Sequence, residues 1–108
     1  MRGMKISDNS SGEKVKGRQS GALVLFHELG HFFQKNFHYE QFMEGINTFD
    51  EQYDNMEERR NIEQNETPAA KILGEGTRNN HSALPFKTVN PISTKTKKEV
   101  RKETQQQL

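Results

Sequence analysis

Cysteine and tryptophan are both absent from the 108-residue chain. Without a thiol there is no disulfide framework, no thiolate zinc finger and no cysteine nucleophile. Apolar residues are also scarce. Hydrophobic residues are 30% and charged residues 29%, and Leu, Ile, Val and Phe together number 22. The mean hydropathy is −1.06. This is close to the level at which a chain fails to bury enough apolar surface to fold. One small core with loose ends is the expectation, not a second domain. The longest unbroken apolar run, Ala22 to Phe26, is too short for a bilayer span or a signal-peptide core. A soluble chain with no membrane partner and no address of its own is expected.

Charge of either sign is plentiful but segregated. Residues 1–20 carry five Lys/Arg against two acids, residues 21–58 one against eight, and residues 59–108 ten against five. The acidic middle either favours a cation or forms a solvated face. Residues 1–19 are rich in Gly, Ser, Lys and Asn and read as a flexible segment, with a short strand at Lys5 to Ser7. Residues 93–108 are polar and basic and read as a disordered tail. Such arms can hold nucleic acid through phosphates, but no aromatic is interleaved for base stacking, so a nucleic-acid partner is disfavoured.

Between these arms, residues 20–92 form the expected domain. Ser20 is a helix N-cap, and Ala22, Leu25, Phe26, Leu29 and Phe33 follow at helical spacing. This predicts a buried helix over about 20–37 with that stripe facing the core. Gly30 costs roughly 1 kcal/mol against Ala there, so it should have a reason, such as the close approach of another backbone. Residues 38–52 read as loop or short turns. A second, charged helix is predicted from Tyr53 to about Asn65. Thr67-Pro68 then marks either a fresh start or a kink in one long helix. Gly74-Glu75-Gly76 stops it, and residues 77–93 read as loop. The fold class is mainly α, a small α or α+β fragment in which a buried active helix packs on a charged one.

The sharpest pattern is His27-Glu28-Leu29-Gly30-His31, an HExxH motif. Residues i and i+4 project from one helix face about one turn apart, so two imidazoles can occupy two corners of a zinc tetrahedron. Zinc acidifies water toward a pKa of about 7, and Glu28, one position round, is placed to take its proton as water attacks a carbonyl. Two histidines do not complete such a site. His38 reads as a loop residue. Gln34 and Phe37 stand where a metzincin needs Gly and His, so that class is excluded. A carboxylate from the second helix is the other solution. Glu57, Glu58, Glu63 and Glu66 are all available there. Glu58, Ile62 and Glu66 share a face, so Glu58 can bind the metal, Ile62 can pack on the active helix and Glu66 can orient a ligand histidine.

GALVLFHELGH, followed by NMEERRNIEQNETPAAKILGEGTRNNH, resembles the NleD-like effector metallopeptidases, HExxH zincins of type III effectors and Rhs-type polymorphic toxins. That family has an HELxH helix, an Asn-x-Glu-Glu element, Glu-Asn before a short helix ending in Leu-Gly, then Arg and an aromatic. Here these correspond to Asn55-x-Glu57-Glu58, Glu66-Thr67, Leu73-Gly74, Arg78 and His81. Thr67 replaces Asn, and His81 stands where a tyrosine is common. The resemblance implies Zn2+ held by His27, His31 and Glu58, or else Glu57, with Glu28 as general base. His81 and Arg78 are then the candidate transition-state stabilisers. The expected activity is a zinc endopeptidase acting on a protein or peptide, delivered as an effector or toxin. The alternative is a non-catalytic remnant, or a fragment of a larger toxin, in which zinc is structural.

Overall fold

The computed structural model describes residues 2–6 and 17–107. Helix α1 (Gly21–Phe37) starts where Ser20 accepts a hydrogen bond from the Leu23 amide on its side-chain oxygen, 3.3 Å away. It ends at His38, which passes the chain directly into α2 (Tyr39–Ile46). Residues 38–52 are therefore not the loop that their alternating acids and aromatics suggested. A tight hairpin of β3 (Phe49–Asp50) and β4 (Asp54–Asn55) follows. Asp50 holds its turn together, accepting from the amides of Gln52 and Tyr53 and from Arg59.

The second helical run begins at Met56, three residues later than predicted, because Asn55 caps it through the Glu58 amide. It continues without a break through α3 (Met56–Asn61), a π turn (Ile62–Glu66) and α4 (Thr67–Leu73). Pro68 therefore sits inside one long helical run, just after the wide turn. Gly74 ends the run in the left-handed conformation (φ 68°), as a C-terminal stop requires.

The two chain arms are more ordered than composition suggested. β1 (Arg2–Ile6) is the middle strand of an antiparallel sheet in the order β2-β1-β5, with β2 at Gly17–Gln19 and β5 at Ala83–Lys87. Met4 pairs with Gln19 on one side and with Pro85 on the other. The expected flexible segment thus contributes two strands; Ser7 lies outside the described residues. Helix α5 (Lys97–Gln107) replaces the expected disordered tail. Thr96 and Glu99 exchange hydrogen bonds at its start, and Glu99 also pairs with Arg18 of β2. The protein is mainly helical with two small sheets. No helix among the described residues is long and apolar enough to cross a membrane.

The interior inverts the usual distribution. Among the described residues the buried hydrophobic side chains are Leu23, Tyr53, Ile62 and Ala70. Buried beside them are Gln19, Ser20, His27, Asp50, Glu57, Asn61, Glu66, Arg78 and Asn80. The predicted core stripe of α1 faces outward: Phe26 is 43% exposed and Phe33 54%. The inward face carries Ser20, Leu23 and His27 instead. A helix can turn only one face to its neighbour. Polar side chains can be buried only where each finds a partner, and the partners of this face are on the long helical run opposite.

Gly30 faces a side chain, not the backbone expected. A Cβ there would lie 1.9 Å from Oδ1 of buried Asn61. Asn61 cannot retreat, because its Nδ2 donates to the His27 carbonyl (2.7 Å) while its Oδ1 accepts from Asn65 (2.8 Å). Gly30→Ala should therefore cost about 1–3 kcal/mol through overpacking and lower the melting temperature. A thermal melt equal to that of the parent would remove this account of Gly30.

Candidate metal centre

Helix α1 presents His27 and His31 one turn apart, and the long helical run opposite presents Glu57, Glu58 and Glu66. The π turn matters for the last of these. Eight residues of regular α-helix leave about 80° between the first and last side chains. A wider turn rotates less per residue, and it returns Glu66 towards the face of Glu58.

The outer nitrogen of each ring is held by a buried carboxylate. His27 Nδ1 lies 2.8 Å from Glu66 Oε1, and His31 Nδ1 lies 2.7 Å from Glu57 Oε2. Ionised carboxylates only accept, so His31 Nδ1 donates to Glu57, and Glu66 favours a proton on His27 Nδ1, which Arg78 Nη2 also approaches at 3.3 Å. The inner nitrogens converge. His27 Nε2 and His31 Nε2 face each other at 3.1 Å. Glu58 closes the group, with Oε1 2.9 Å from His31 Nε2 and Oε2 3.1 Å from His27 Nε2. In the metal-free protein Glu58 accepts from these rings and favours their charged form, and a divalent cation between the inner nitrogens and Glu58 would take the place of those protons.

The residues fit zinc. Two imidazole nitrogens and one carboxylate are a known catalytic set, and ligands at 2.0–2.1 Å from a tetrahedral ion are about 3.3 Å apart. His27, His31 and Glu58 each offer one atom to such a group, all within 4.8 Å of one another. The carboxylates behind the rings fix tautomer and orientation, as zinc-bound histidines require.

These supports are themselves supported. Arg78 clamps Glu66 with Nε at 2.8 Å and Nη2 at 2.7 Å, and Gln19 adds a third donor at 3.0 Å. Arg60 clamps Glu57 in the same way, at 2.7 and 2.8 Å. Asn61 ties the long helix to the α1 backbone at the carbonyl of His27 itself. Burial opposes charge on His27, but Glu58 and Glu66 outweigh it and lift the ring to about 9. His31 is raised against burial by Glu58 and Glu57. Burial also opposes charge on Glu66, yet His27 and Arg78 hold it at about 2, and the two rings hold Glu58 below its ordinary range.

The sequence-predicted residues separate into distinct places. His27, His31 and Glu58 converge. Glu57 and Glu66, the alternative third ligands, sit on the Nδ1 side of the rings and so act behind them, not as ligands. Glu63 is exposed and pairs with Arg59. His38 is exposed at the α1–α2 junction. Glu28 is exposed at the lip of a cleft of about 240 Å³ beside His27, lined also by Met4, Val24, His81 and Ala83. Arg78 is buried, pairs with Glu66 and lines the same cleft. His81 lies at the cleft with Nε2 3.1 Å from Glu58 Oε2, its ring stacked 5.9 Å from that of His27. Sequence reasoning missed Gln19, Arg60 and Asn61. Only the spacing of Asn61, four residues after Glu57, could have marked it as facing α1. Compared with known proteins, the chain matches no protein-family model, no curated protein and no solved structure.

The metal-free protein should be most stable between about pH 4.5 and 6.5. His27 is raised from 6.5, so its contribution is complete below 6.5 and fades as pH rises toward about 9. Glu58 is lowered from 4.5, so its contribution is present above 4.5 and fades as pH falls. Protons compete with zinc for the rings, so the zinc-induced rise in melting temperature should be larger at pH 8 than at pH 5.5. Equal rises at both pH values would contradict this competition.

Proposed function

We propose that the protein is a zinc-dependent endopeptidase of the NleD-like kind, hydrolysing an amide bond of a protein or peptide. The observation that carries this reading is the meeting of His27 Nε2, His31 Nε2 and Glu58, with both Nδ1 atoms occupied by carboxylates. Zinc, when held there, supplies Lewis acidity toward water and toward a carbonyl oxygen. The chain's own residues do the rest. Glu28 lines the cleft beside His27 and takes the proton of the attacking water. It then returns that proton to the departing amine, so that amide and water become carboxylate and amine. His81 lines the cleft, and its Nε2, when it carries a proton, can donate to the carbonyl oxygen as negative charge grows there. The assignment to an effector or toxin protease rests on the sequence resemblance.

A second reading has its own observation. Four buried hydrophobic side chains sit among nine buried polar or charged ones in the described residues. A core of this kind gains much of its stability from an ion, at about 4 kcal/mol when free zinc exceeds its dissociation constant a thousandfold. In that reading zinc is purely structural.

Glu28→Gln tells the two apart. Peptide cleavage should fall by roughly 10²–10⁴-fold while one zinc per chain is retained. Zinc-loaded parent protein that cleaves nothing in a broad peptide library would leave the structural reading.

A further inference from the structure

Asp54 is the only non-glycine residue among the described ones with a left-handed backbone (φ 75°). It opens β4, paired across the hairpin with Asp50. A corner of this shape is most cheaply filled by glycine, with asparagine next. An aspartate there holds a strained position, and strain is retained where the side chain is used. Its side chain is used: Oδ2 lies 2.9 Å from Nδ1 of His81, 27 residues further along the chain. The other nitrogen of that ring points the opposite way, to Glu58 Oε2 at 3.1 Å. One end of His81 is thus tied to the hairpin, and the other faces the ligand group at the cleft.

We propose that Asp54 is a positioning residue: its carboxylate, carried on the left-handed corner of the β3–β4 hairpin, aims His81 Nε2 into the cleft beside Glu58. This rests on the peptidase reading for its consequence, though the ring geometry stands apart from it. Without Asp54 the ring is free to turn about its side-chain bonds. It is only a third exposed, but its backbone belongs to no regular element. The hairpin is short, so the corner transmits its conformation directly to the carboxylate.

Strain and use make opposite demands, which gives the test its signature. Glycine adopts the left-handed region without cost, so Asp54→Gly should keep or raise the melting temperature. It should also keep one zinc per chain, because His27, His31 and Glu58 are untouched. The kcat should fall at least tenfold with KM within twofold of the parent. Asp54→Asn tolerates the corner and keeps an acceptor oxygen, so it should recover much of the loss. In a His81→Ala background, Asp54→Gly should have no further effect on kcat. A fall in kcat of the same size in that background, or no fall in the parent background, would overturn the proposal.

A readout without turnover separates this from failure of the peptidase reading. Ring-nitrogen NMR of the zinc-loaded protein should show a slowly exchanging His81 Nδ1 proton, lost in Asp54→Gly. Should the parent cleave no peptide, the peptidase reading falls while this signal still decides the positioning role. An unchanged His81 signal in Asp54→Gly overturns it whatever the activity.

Discussion

The constraint on which the rest depends is the pinning of two imidazoles from behind. Glu66 and Glu57 hold the Nδ1 atoms, and so the Nε2 atoms are turned toward each other and toward Glu58. Removing charges from water is costly, and a buried ion pair compensates only when every lone pair and proton finds a partner. Here that condition is met in layers. Arg78 and Gln19 satisfy Glu66, and Arg60 satisfies Glu57. No buried side-chain nitrogen or oxygen among the described residues lacks a hydrogen-bond partner. What remains is the inner group of two ring nitrogens and the Glu58 carboxylate, which could hold a metal ion.

The fold can be understood as the means of holding that arrangement. α1 supplies the two rings, the long helical run supplies three carboxylates, and the π turn adjusts the phase of the third. Asn61 occupies the notch at Gly30 and bonds the His27 carbonyl, so the two helices approach at the ring they serve. The sheet contributes Gln19 from the end of β2, and the segment before β5 contributes Arg78 and His81. The cost appears on the outside. The phenyl rings of α1 that would ordinarily fill a core lie on the surface because the inward face is given to polar groups.

The parts legible in the sequence are local ones. Ser20 as a cap, the i, i+4 histidines, and Gly74 as a stop each depend on neighbouring residues within a turn or two. The shared face of Glu58, Ile62 and Glu66 was also readable from spacing. The direction of α1 was not, because binary patterning assumes that the apolar stripe is the buried one, and here partners for the polar residues come from elsewhere in the chain. β1 and β5 pair across about 80 residues of sequence, with no periodicity in either to announce it. α5 is polar, whereas α2 carries Tyr39, Phe42, Met43 and Ile46 at helical spacing, a periodicity too short to stand out from its acids. For α5 a signal was present: Thr96-Lys97-Lys98-Glu99 has the spacing of a capping box, and the structure shows both halves of it. The role of Glu57 required three dimensions, since sequence distinguishes it from Glu58 by one position only.

X-ray absorption at the zinc edge of the loaded protein tests the central claim most directly. The account predicts an inner set of nitrogen and oxygen atoms at about 2.0–2.1 Å, with outer scattering from two imidazoles that disappears stepwise in His27→Ala and His31→Ala. A spectrum of zinc surrounded by water oxygens, with no imidazole scattering, would contradict it.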